Sequence, residues 1–148
     1  MKLIHFSDTH LGFSDLDVVN ADGINQREVD FYKAFSDVVD TIIEKKPDFA
    51  IHTGDLFHRA SPSNRAISFA IKELKKLEKE NIPFIMIAGN HSTPRTTSSS
   101  PILEVFSVLD NVHAVYKQRY ELIEFDKILF HAIPHINDEA IMIEELKK

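Results

Sequence analysis

Three short, mainly apolar segments of this chain end in the same way. Residues 3–7, 49–52 and 82–88 each run into a polar cluster built around a glycine: Asp8-Thr9-His10-Leu11-Gly12, Gly54-Asp55 and Gly89-Asn90-His91. Only four glycines occur in the whole chain, so three of them stand at these ends. A strand that is apolar on both faces has to be covered on both, which is how the strands of a parallel sheet sit. Amphipathic segments separate them. Val29, Tyr32, Phe35, Val39, Ile42 and Ile43 recur at helical spacing until Pro47 stops the run. After Pro62, Ile67, Ala70, Ile71, Leu74 and Leu77 form a second apolar stripe. Alternating strands and helices predict an α/β fold: a mainly parallel sheet flanked by helices.

The remainder reads differently. Residues 93–100 are too polar and breaker-rich to order themselves, and a short helix is expected over 101–109. Apolar runs at 112–116, 122–125 and 128–132 predict a C-terminal β-hairpin joined at Asp126-Lys127, with a last helix from about Asn137. With 148 residues and no internal repeat, the chain makes one domain, residues 1–148. The absence of cysteine excludes disulfides, thiolate metal sites and a cysteine nucleophile. No apolar run is long enough for a bilayer, and the first residues read as a strand rather than a signal peptide, so an intracellular, cytoplasmic protein is expected. The net charge of −6 argues against indiscriminate nucleic-acid binding. Residues 56–100, however, hold seven basic against three acidic side chains, which a solvated helix face explains as readily as a cationic surface.

In an open parallel sheet the strand ends face one crevice, the usual ligand position. Three separate segments therefore bring Asp8, His10, Asp55, Asn90 and His91 to one place. Taken singly, each also reads as a cap or a turn residue. Together, two carboxylates, an amide oxygen and imidazole nitrogens make a mixed set suited to Mn²⁺, Fe²⁺, Zn²⁺ or Mg²⁺. The i, i+2 spacing of Asp8 and His10 in an extended segment would send both side chains the same way. Asp55 could bridge two cations about 4 Å apart, the arrangement used for in-line attack on phosphate esters, with His91 placed to protonate the leaving alkoxide.

Asp8-Thr9-His10, Gly54-Asp55-Leu56-Phe57-His58 and Gly89-Asn90-His91 resemble the first three motifs of calcineurin-like metallophosphoesterases. Residues 5–12, the Leu56-Phe57-His58 extension and Pro94-Arg95 narrow the resemblance to SbcD-type nucleases of DNA double-strand-break repair. The resemblance spans nearly the whole chain and implies half of a metallophosphoesterase β-sandwich. It implies Asp8, His10, Asp55 and Asn90 as ligands of two divalent metal ions, Mn²⁺ by preference. His91 becomes the catalytic histidine, and His58 a substrate-binding residue that positions the DNA end, although a surface histidine in a turn fits its spacing equally well. The implied activity is 3′→5′ exonuclease and endonuclease action on DNA ends. The implied partners are an SMC-like (SbcC-like) ATPase subunit and a second copy of the chain, bound through the 101–109 helix.

The chain departs from the family pattern in two respects. Ser92 follows Gly-Asn-His where an acidic residue is usual, which predicts weaker support for His91. The family completes its metal site with a later histidine and a Gly-His-x-His motif, neither of which occurs by Lys148, so the expectation is the N-terminal portion of a longer nuclease. His131 and His135 read as a strand-and-loop pair rather than substitutes, and neither His52 nor His113 receives a role. The oxygen-rich run Asp15, Asp17, Asn20, Asp22-Gly23 fails the Ca²⁺-loop spacing and reads as a solvated loop. The alternative function is a non-catalytic module that dimerises or docks the ATPase. Phospho-receiver and haloacid-dehalogenase-like folds are disfavoured, because histidine stands at position 10 where the latter needs aspartate.

Overall fold

The computed structural model describes residues 1–15, 18–96, 99–125 and 127–148. Asp17, within the oxygen-rich run, and Asp126, at the hairpin junction, lie outside the described residues. Four strands form one parallel sheet in chain order: β1 (Leu3–Phe6), β2 (Phe49–His52), β3 (Phe84–Ile87) and β4 (Val112–Val115). The sheet thus has a fourth parallel strand beyond the three expected. Pairing of Phe84 with Val112 and Ile87 with Val115 draws residues 112–115 into it. The antiparallel pair at the end is β5 (Glu121–Phe125) with β6 (Ile128–Ala132).

Helix α1 (Gln26–Lys45) connects β1 to β2, and α2 (Asn64–Lys79) connects β2 to β3. Each begins at a polar cap: the Asn25 side chain accepts from the Arg27 N–H, and Ser63 Oγ accepts from the Ala66 N–H. Pro62 therefore stands just before the cap rather than inside the first turn. Neighbouring parallel strands joined by right-handed crossovers place both helices on one face. The main core agrees, joining Phe35, Val39 and Ile42 of α1 and Ala70, Leu74 and Leu77 of α2 to Ala50, Phe84 and Met86 of the sheet. A 3₁₀ helix (Ile102–Val108) adds Leu103 and Phe106 to the same layer and leaves Val108 exposed.

Alternate residues point to the opposite face, where the hairpin packs. Ile85 and Val115 are buried there with Ile123 and Ala132, and Phe49 meets the rings of Phe125 and Phe130. Both faces are covered as expected, one by helices and the other by the hairpin. The last helix, α3 (Glu139–Glu145), is capped by Asp138. Among the described residues no helix is long and apolar enough to cross a membrane.

Candidate metal centre

β1 stops at Phe6, and the chain does not continue extended through Asp8 and His10. Asp8, His10 and Asp55 have φ values of 56°, 41° and 53°, in the left-handed region. The expectation of an extended segment is therefore corrected. The two side chains are brought together by successive turns, each costing about 1–3 kcal/mol unless held by its surroundings. Asp and His are among the residues that tolerate this region best.

The holding comes from the loop after β2. Asp8 N–H donates to the Gly54 carbonyl at 3.0 Å, His10 N–H to Asp55 at 2.9 Å and Leu11 N–H to Leu56 at 2.8 Å. In return His58 N–H donates to the Leu11 carbonyl at 3.1 Å. Leu11, Leu56 and Phe57 are buried beneath this ladder and anchor both loops in the core.

The third loop locks onto the second. His91 N–H donates to Asp55 Oδ1 at 2.9 Å. Close approach is possible because residue 89 is glycine: a Cβ there would lie 2.6 Å from the Asp55 nitrogen and would overlap Oδ1. Asp55 is buried, His10, His58 and His91 are half-buried, and Asp8 and Asn90 are exposed.

Donor atoms of Asp8, His10 and Asp55 all lie within 4.8 Å of one another, with Asp8 Oδ1 3.8 Å from His10 Nε2. Two of the four predicted metal ligands on the first loop and one on the second are thus in one cluster. Asn90 lies in the third loop between Gly89 and His91. Two carboxylates, one of them buried, and an imidazole are a donor set that fits a divalent cation. Among the described residues the buried Nδ1 atoms of His10 and His58 have no hydrogen-bond partner, nor does that of His52.

His91 Nδ1 lies 2.6 Å from the His58 carbonyl oxygen. A carbonyl can only accept, so Nδ1 carries the hydrogen and Nε2 is the free nitrogen. Support for the His91 ring therefore comes from the second loop. Ser92 is fully buried with its hydroxyl unpartnered, so it contributes no side-chain hydrogen bond. The ordinary pKa of His58 is lowered, first by burial and then by the nearby His91, His10 and Arg59, with Asp55 opposing. His58 and Arg59 also line a cavity of about 570 Å³ with Arg65, Ser61 and Ser63, at the start of α2.

Sequence reasoning gave His52 no role, yet it is fully buried directly beneath the site. Its Nε2 lies 3.1 Å from Thr9 Oγ1 and its ring packs edge-on against Phe6. Burial lowers its pKa to about 4, so the ring is neutral near pH 7. Its place at the end of β2, next to the Thr53-Gly54-Asp55 loop, was the available signal. His131 is exposed and bonded to Tyr120, and His135 meets the end of β3 through its backbone N–H on Ala88. Among the described residues neither joins a metal-type cluster of histidine and acidic side chains. In the oxygen-rich loop, Asn20 Oδ1 accepts from Asp22 and Ile24 N–H groups, a turn.

The strand-end loops of a parallel sheet gather carboxylates and histidines, and residues 1–141 match the model of the calcineurin-like phosphoesterases. The chain belongs to that family. Within it, the chain is similar to DNA double-strand break repair protein Mre11, the SbcD-type branch: 35% identity to the Sulfolobus acidocaldarius protein over the whole chain, and 37% to that of Saccharolobus solfataricus over 92% of it. The Mre11 protein of Thermoplasma acidophilum is 40% identical over 80% of the chain. The chain spans 37%, 34% and 29% of these three relatives.

Proposed function

We propose that this chain carries the first part of the catalytic centre of a metal-dependent phosphodiesterase acting on DNA, with 3′→5′ exonuclease and endonuclease activity. The observation that supports this most is the convergence of Asp8, His10 and Asp55 donors within 4.8 Å, beside a histidine with one free ring nitrogen. Asp8, His10, Asp55 and Asn90 would hold the divalent ions, Mn²⁺ by preference. When bound, such ions lower the pKa of water and neutralise phosphoryl oxygens.

The chain's own residues then have distinct tasks. His91 would take up a proton at Nε2 from solvent and pass it to the leaving oxygen, while its Nδ1–H, held by the His58 carbonyl, keeps the ring from turning. His58 also lines the cavity with Arg59 and with Arg65, which is paired to Glu28 at 3.4 Å, so Arg59 is the cationic side chain that would meet a neighbouring phosphate of the strand. Similarity to DNA double-strand break repair protein Mre11 supports DNA ends as the substrate, and the motif resemblance extends the reading to an SMC-like ATPase partner and a cytoplasmic location. A homodimer is proposed through the 3₁₀ helix at 102–108, where Val108 is exposed.

Asp55→Asn is expected to abolish Mn²⁺-stimulated cleavage of a DNA end while the protein remains folded. Unchanged cleavage in that variant would remove the assignment. His91→Ala is expected to keep Mn²⁺ binding, read by calorimetry, and to lose turnover. Equal loss of both would make His91 a ligand instead.

A further inference from the structure

A second donor set overlaps the first. His10, His58 and His91 each offer a ring nitrogen, and these atoms lie within 4.8 Å of one another. The ring centroids are 5.0 Å apart for His10 and His91, 5.2 Å for His58 and His91, and 5.6 Å for His10 and His58. This set contains no carboxylate. The Asp8–His10–Asp55 set has two oxygen-bearing members and one imidazole, and the two sets share His10 alone.

That difference in donor chemistry separates cations. Oxygen-rich sets suit Mn²⁺ and Mg²⁺, whereas three neutral imidazoles suit Zn²⁺ and other late divalent ions. The His91 ring is already arranged for the second kind. A ligating histidine typically donates its other N–H to a backbone carbonyl or a carboxylate, which fixes tautomer and orientation. His91 does so, through Nδ1–H to the His58 carbonyl at 2.6 Å. The three loops are also tied together, by Leu11 N–H to Leu56, His58 N–H to Leu11 and His91 N–H to Asp55. An ion centred among three nitrogens at most 4.8 Å apart stands within about 2.8 Å of each, and Zn–N bonds of about 2.0–2.1 Å need ring movements of under about 1 Å.

We infer that His10, His58 and His91 form a three-imidazole site for a zinc-type cation, with a fourth position open to water. Filling it takes His10 from the Asp8–Asp55 centre and occupies the free nitrogen of His91, so it inhibits the phosphodiesterase. The inhibition rests on the function proposed above, whereas the binding site does not.

Co²⁺ serves as the probe, because four- or five-coordinate nitrogen sites absorb visible light far more strongly than six-coordinate oxygen-rich ones. Titrating the 148-residue chain is expected to give intense absorption that Zn²⁺ abolishes. His58→Gln should weaken Co²⁺ binding by about tenfold or more, whereas His131→Gln, at an exposed histidine outside both sets, should leave it unchanged. Circular dichroism checks that each variant is folded, and His91→Gln replaces His58→Gln if the latter is not. Weak six-coordinate bands alone in the wild type would overturn the site. So would intense absorption that survives the substitution at His58 or His91, or its loss in His131→Gln. Zn²⁺ added to the Mn²⁺-driven cleavage assay then reads inhibition. Intense Co²⁺ absorption together with cleavage that Zn²⁺ does not slow overturns the inhibition and leaves the site standing.

Discussion

The main-chain N–H of His91 donates to Asp55 Oδ1 at 2.9 Å, so the buried carboxylate at the end of the second strand also positions the loop that follows the third. One side chain therefore has a structural and a chemical task, and substitutions can separate them. Asp55→Ala removes the acceptor and leaves a half-buried N–H unpaired, a loss of about 1–3 kcal/mol in stability. Asp55→Asn retains an acceptor oxygen and should unfold at nearly the wild-type urea concentration. Equal destabilisation of the two would mean that the hydrogen bond holds nothing.

Gly89→Ala should be among the most damaging single changes at the site. The added Cβ would lie 2.6 Å from the Asp55 nitrogen and overlap its carboxylate, and the backbone has to move to relieve it. A loss of about 1–3 kcal/mol is expected by denaturant titration, together with weakened Mn²⁺ binding. Unchanged stability and metal affinity would show that the two loops are not in contact.

His52 makes stability depend on pH. Burial, the largest cause, lowers its pKa from 6.5 to about 4, against a smaller raising effect of Asp8. Between these values the unfolded chain binds the proton and the folded chain does not. This contribution to stability is therefore complete above pH 6.5 and is lost as pH falls towards 4, at no more than about 1.4 kcal/mol per pH unit. His58, also lowered, acts in the same direction. His52→Gln should show a shallower decline in urea midpoint between pH 7 and pH 4.5, and an unchanged slope would contradict the burial.

At the start of α2 the expected effect is modest. Ser63 Oγ accepts from the Ala66 N–H at 3.2 Å, and Ser63→Ala should cost about 1 kcal/mol while Ser63→Gly costs only a few tenths. Thermal melts of the two variants test the order. A larger loss for Gly than for Ala would assign the effect to the backbone rather than the cap.

Much of this was legible before folding was considered. Alternation of apolar strands with amphipathic stripes announced the α/β class, because burial leaves a periodic trace in the residues themselves. The pairing of glycines with Asp, His and Asn at strand ends announced the site, since such residues at such ends have few other uses in common. Residues 112–115 were harder to place. A short apolar run reads alike in a hairpin and in a parallel sheet, and only pairing with residues 84–87 decides which it is.

The residue types of the centre and the order of its loops were therefore determined by the sequence alone. The tertiary structure decided their geometry. The left-handed turns at Asp8 and His10 replaced the extended segment that spacing suggested, because acceptors on Gly54 and Asp55 hold them there. The free nitrogen of His91 was likewise settled by a carbonyl 33 residues earlier. Local patterns record burial and turn chemistry, but a hydrogen bond between distant loops leaves no periodic mark, and it exists only once the sheet has brought their backbones together.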